Sequence, residues 1–144
     1  MSRVNELFLF DIFVAILKIR QTVNNKIDAN ALKYDYMAWD SVIREFEIIG
    51  EATKHLIESD ILDQSKRSIV NFRNVLIHEY FGIDEEEVYD IAKNRLEELE
   101  SIIIDKILII EQSLKDELLE DIINENKHLE FVVKSLSSLE KKNI

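Results

Sequence analysis

The chain has 144 residues, enough for one domain with its own core, and no cysteine, which excludes a disulfide framework and a cysteine-ligated zinc site. Proline is absent, glycine occurs only at positions 50 and 82, and Leu, Ile, Glu and Lys are abundant, so the composition reads as helical. The net charge of −11 opposes long-range attraction to polyanions and argues against broad nucleic-acid affinity.

The N-terminal stretch MSRVNELFLFDIFVAILKI is apolar but short. Asp11 interrupts it, Lys18 and Arg20 close it, and no small-residue cleavage site follows. A core helix is expected there rather than a signal peptide or a membrane span, and with it a soluble, cytoplasmic protein. This first helix covers about residues 4–24, with Val4, Leu7, Phe8, Ile12, Ala15 and Ile19 on one stripe. Asn24-Asn25 and Asp28-Ala29-Asn30 then supply turn chemistry. A second helix covers about residues 34–58, with Val42, Phe46, Ile49, Ala52 and Leu56 repeating at three and four residues. Gly50 inside it costs about 1 kcal/mol relative to Ala, which predicts close approach of another helix at that point. Tyr34, Tyr36 and Trp39 are expected as core or dimer contacts rather than a base-stacking platform.

The third helix is predicted over about residues 65–81, with Gly82 stopping it in a left-handed position. Asp84 then starts the fourth as N-cap, with Glu87 in capping-box spacing and Ile83 and Val88 as a hydrophobic staple. Glu85 and Glu86 favour the positive end of that helix, so the acidic run reads as helix initiation rather than a metal site. This helix continues to about residue 110, with Ile91, Leu96, Leu99, Ile103 and Ile107 inward. A last amphipathic helix covers about residues 115–139, through Leu118, Leu119, Ile122, Leu129, Val132, Val133 and Leu136. With no linker, repeat or low-complexity tract, the expected architecture is all-α: one domain over residues 1–144, about five helices.

The third helix carries the chemistry. Its apolar residues surround it almost completely, the pattern of a helix buried on most sides. Against that background Asn71, Asn74 and His78 cluster on one side, while Arg73 and Tyr80 share another direction, seven residues apart. Such polar groups either form a satisfied network between helices or subunits, or line a functional cleft. Residues 63–83 carry 3 basic and 2 acidic side chains, the only segment without a negative balance, whereas residues 84–100 carry 2 and 8.

The segment FRNVLIHEYFGID, preceded by YDYMAWDSVIREFEIIGEATKHL and followed by EVYDIAKNRLEEL, resembles the HepT-like branch of the HEPN superfamily over about residues 5–110. The core of the resemblance is R-x4-H-x-Y, here Arg73, His78 and Tyr80. Lys66-Arg67-Ser68 stands where a proline-tryptophan pair is often found, and the chain beyond about residue 110 is longer than the minimal domain, with residues 111–144 as an additional C-terminal helix. The resemblance implies the toxin of a toxin–antitoxin system: a metal-independent endoribonuclease, without a cofactor, forming a homodimer whose two motifs face a shared cleft. It also implies an MntA-like minimal nucleotidyltransferase antitoxin that attaches AMP to the motif tyrosine, here Tyr80.

The residue types suit that chemistry. Histidine moves a proton near neutral pH, which suits His78 for activating a 2′-hydroxyl, and the planar fork of Arg73 suits a phosphorane. Asn74 is the candidate for orienting His78 or the phosphate. On an ideal helix Arg73 and His78 point about 140° apart, so they meet at one phosphate only if the helix distorts or a second subunit completes the site. Arg44, Glu47 and Glu51 form surface pairs or line the cleft opposite the third helix. Glu51 and His55 have i, i+4 spacing but no second histidine to make a zincin-type metal site, and His128 is expected to be exposed. A rival reading is a non-catalytic helical dimer that holds a nucleotidyltransferase.

Overall fold

The computed structural model describes residues 3–79 and 82–141, and among them every regular element is helical. Eight α-helices are found where five were expected: α1 (Arg3–Val23), α2 (Ala29–Tyr34), α3 (Tyr36–Glu58), α4 (Arg67–His78), α5 (Glu85–Asn94), α6 (Glu97–Leu108), α7 (Gln112–Glu125) and α8 (Glu130–Lys141). A 3-10 turn, Gln64–Lys66, leads into α4.

The extra helices come from breaks that carry neither proline nor glycine. Asp28, read from sequence as turn chemistry, is the N-cap of the short α2, its Oδ1 accepting from the Ala31 N–H at 2.8 Å. Asp35 then caps α3 through the Ala38 N–H at 3.1 Å. The expected fourth helix divides at Arg95–Leu96, where buried Leu96 turns into the core and α6 starts in a new direction. The expected last helix divides at Asn126, whose Nδ2 donates back to the Ile122 carbonyl at 2.9 Å.

α1 lies at the centre of the bundle, packed against α3, α5, α6 and α8. That is why its apolar residues exceed a single stripe: Leu9, Phe10, Phe13, Ile16 and Leu17 are buried together with Ile12, Ala15 and Ile19, whereas Leu7 is exposed. Arg20 of α1 donates to both oxygens of Glu100 on α6, at 2.9 and 3.2 Å. The predicted inward face of α3 is buried as expected, and α3 packs along α4 with Phe46 edge-on to Phe72 at 5.3 Å. Leu118, Leu119, Ile122, Val132, Leu136 and Leu139 of α7 and α8 join the same buried cluster as α1.

α3 ends at Glu58 as expected, whereas the end of α4 differs from expectation. α3 closes with Asp60 in the left-handed region, φ 59°, and the Asp60 and Ile61 N–H groups bond Ile57 and Leu56 as in a Schellman motif. α4 ends at His78, with the Glu79 N–H donating to Val75 at 2.8 Å, and Gly82 has no positive φ, so it is not a left-handed stop. Tyr34 and Tyr36 are not core residues, being 82% and 72% exposed, while Trp39 is half-buried under the Lys33 ammonium at 4.4 Å. None of the helices is long and apolar enough to cross a membrane, among the described residues.

Candidate active site

α4 is not buried on most sides. Only Val70 and Leu76 are buried along it, Val75 is 48% and Ile77 39% exposed, and Asn71 and His78 are also exposed. The side facing α3 carries Arg73, and here the two helices meet at Gly50. A Cβ added at Gly50 would overlap Arg73 Cβ and stand 2.5 Å from its Cγ. The missing side chain therefore lets the arginine stem lie flat against the α3 backbone, and this is the close approach that the glycine predicted.

The guanidinium is held from two directions. Nη2 donates to Glu51 Oε2 at 2.7 Å and Nη1 to Asn74 Oδ1 at 3.0 Å, while Nε is buried without a partner among the described residues. Glu51 in turn meets His55 one turn on, Oε1 lying 3.2 Å from Nε2, and the His55 ring stacks on Phe8 of α1 at 4.5 Å between centroids. Beside this chain runs a groove of about 360 Å³ lined by Phe8, Asp11, Arg44, Glu47, Glu51, Arg73 and Ile77, among others.

The structure thus brings Arg44, Glu47, Glu51 and Arg73 to one groove. Asn74 contacts Arg73, and His78 stands exposed at the C-terminal end of α4. α4 keeps α-helical geometry through His78, so no distortion turns the histidine towards the arginine. Tyr80 lies outside the described residues. His55 and Phe8 were not singled out as partners of Arg73 from sequence; the Glu51–His55 spacing was the available signal. His128 is exposed, as expected. Among the described residues no three His, Asp or Glu side chains converge as metal ligands.

A larger hollow of about 620 Å³ lies between α3, α4, α5 and α6, with Phe46, Ile69, Phe72 and Leu96 among its walls and Lys66 and Arg95 among its polar groups. Its size does not make it the better candidate. Its lining excludes Arg73, Asn74 and His78, and Lys66 is already engaged by Glu98 at 3.0 Å.

A family model described as ribonuclease HepT-like matches residues 12–106, which run from α1 almost to the end of α6. "Putative RNase MJ0127" of Methanocaldococcus jannaschii is 36% identical over 105 residues, covering 68% of this chain and 86% of the relative. "Putative RNase MJ1380" of the same organism is 36% identical over 90 residues, 60% of this chain and 81% of the relative. "Putative RNase TTE0752" of Caldanaerobacter subterraneus is 38% identical over 61 residues, 40% and 54% of the two chains. No solved structure gives a significant match.

Proposed function

Because the chain belongs to the ribonuclease HepT-like family, we propose that it is a cytoplasmic, metal-independent endoribonuclease, the toxin of a toxin–antitoxin pair. Arg73 and His78 are its catalytic groups. One observation carries this reading: a braced arginine and an exposed histidine come from one helix whose outer side is left partly apolar and uncovered.

The reaction uses the RNA's own nucleophile. His78 takes the proton of a 2′-hydroxyl, the O2′–P bond forms, and the P–O5′ bond breaks as the 5′-oxygen takes a proton from water and leaves as a hydroxyl. The product strand ends in a 2′,3′-cyclic phosphate. Arg73 stabilises the charge gathered on the phosphorane oxygens, and Glu51 and Asn74 hold it in place for that task. Arg73 and His78 point about 140° apart on a regular helix, so the active unit is a homodimer in which one α4 faces the other. Exposed Val75 and Ile77 supply apolar area for such a contact. The whole chain, residues 1–144, acts as one domain.

The antitoxin in this reading is an MntA-like minimal nucleotidyltransferase that places AMP on Tyr80, two residues beyond His78. The added phosphodiester brings bulk and negative charge to the end of α4, where it competes with the RNA phosphate. The net charge of −11 favours a second reading, a non-catalytic dimer that binds the nucleotidyltransferase.

Expression of the chain and of its Arg73→Ala and His78→Ala variants, with RNA cleavage by clean unmodified protein, separates the two readings. The nuclease reading expects growth arrest and cleavage that both variants abolish. Equal toxicity from the variants, or intact RNA with the parent, overturns it. Co-expression with the nucleotidyltransferase should raise the intact mass in AMP steps, and Tyr80→Phe should remove the rise.

A further inference from the structure

We propose that His55 is a positioning residue for Arg73 and acts through Glu51, an inference that rests on Arg73 being the catalytic cation. Phe8, His55, Glu51, Arg73 and Asn74 form a continuous brace across α1, α3 and α4. The His55 ring is nearly parallel to Phe8, at 5°, and its Nε2 donates to Glu51 Oε1, since a carboxylate only accepts. The other oxygen, Oε2, receives Arg73 Nη2 at 2.7 Å.

Glu51 needs that second hold. Its side chain is 45% exposed, and an exposed carboxylate bound at one oxygen samples several rotamers and gives little net fixation. Arg44 lines the same groove and offers Glu51 a competing cation. With His55 bound at Oε1, the second oxygen, Oε2, is turned to Arg73. The terminal nitrogens of Arg73 then each spend one N–H, on Glu51 and on Asn74, and each keeps one for a phosphate oxygen.

The distribution of bonds favours orientation over bulk stability. The acceptors serve the terminal nitrogens, while the buried Nε–H is left unpaired. A network serving stability alone would satisfy that buried donor first, because an orphaned one is costly. The brace fixes the plane of the guanidinium instead.

The test compares His55→Leu, which keeps bulk and loses the donor, with His55→Gln, which keeps an N–H donor, and with Glu51→Gln. For His55→Leu, kcat for RNA cleavage is expected to fall about fivefold to tenfold with KM nearly unchanged. His55→Gln restores most of that loss. The double variant His55→Leu/Glu51→Gln is no slower than Glu51→Gln alone, because both act on the same arginine. An unchanged kcat in His55→Leu, or losses that multiply in the double variant, overturns the proposal. Nitrogen-resolved NMR of the Arg73 guanidinium gives a readout without RNA: two separate Nη signals in the parent, merging in His55→Leu and Glu51→Gln. Signals that stay separate in both variants refute the brace, whether or not RNA is cut. Undiminished cleavage by Arg73→Ala instead refutes the nuclease reading and leaves the NMR result to decide the positioning.

Discussion

Gly50→Ala places a methyl group where α3 and α4 meet. Helix propensity alone favours alanine by about 0.5–1 kcal/mol, so at an open site the change would stabilise the chain. Here the new Cβ overlaps Arg73 Cβ and comes within 2.5 Å of Cγ and 3.3 Å of Cδ. The Arg73 Cβ is fixed to the α4 backbone and no rotamer moves it, so the helices must separate, and Cγ clears the new methyl only if Arg73 also leaves its rotamer. Overpacking of this kind costs about 1–3 kcal/mol. Subtracting the propensity gain leaves a net loss of up to about 2.5 kcal/mol, a fall in Tm of up to about 8 °C for a chain of this length. The displaced guanidinium also loses its place between Glu51 and Asn74, and if Arg73 is the catalytic cation proposed above, a shift of order 1 Å costs about tenfold or more in kcat. Differential scanning calorimetry and RNA cleavage on the same preparations check both parts. In an Arg73→Ala background the Cγ contact disappears and the Cβ contact remains, so only part of the Tm loss should persist. A Tm that rises with Gly50→Ala, with cleavage intact, refutes the claim that this glycine seats Arg73.

Two further changes probe the surroundings. Val75→Asp puts a charge on the uncovered side of α4; if the proposed dimer forms there, sedimentation should show a dimeric parent and a monomeric variant with unchanged helical circular dichroism and lost cleavage, and a variant that stays dimeric refutes that interface. Burial pushes the Glu45 carboxyl above its ordinary value of 4.5, against the pull of Lys18 and Arg44. The fold thus disfavours the charged form, and the stability present below pH 4.5 is lost as pH rises through the raised value. Glu45→Gln should therefore raise the denaturation midpoint near neutral pH and match the parent below about pH 4. A gain of equal size at both pH values would refute the assignment.

The sequence by itself determined the helical class, the buried face of α3, the inward face of α6 and the family to which the chain belongs. Those depend on local composition and periodicity, which neighbouring residues specify directly. It also marked Gly50 as a point of close approach, because a glycine inside a helix has a cost that calls for a tertiary reason. It did not reveal the partner in that approach, since Gly50 and Arg73 are brought together only by the packing of α3 on α4. The breaks at Arg95–Leu96 and Asn126 escaped notice for a related reason. Neither contains proline or glycine; buried Leu96 lies at the first, and the Asn126 side chain bonding back to the Ile122 carbonyl closes the second. The exposure of Val75 and Ile77 was likewise decided by tertiary structure: an all-round apolar helix looks buried in a list of residues, yet the rest of this chain covers only part of it. The motif Arg73 to Tyr80 was legible from the sequence; the brace of Glu51, His55 and Phe8 behind it was not, because it joins three helices through side chains far apart in the chain.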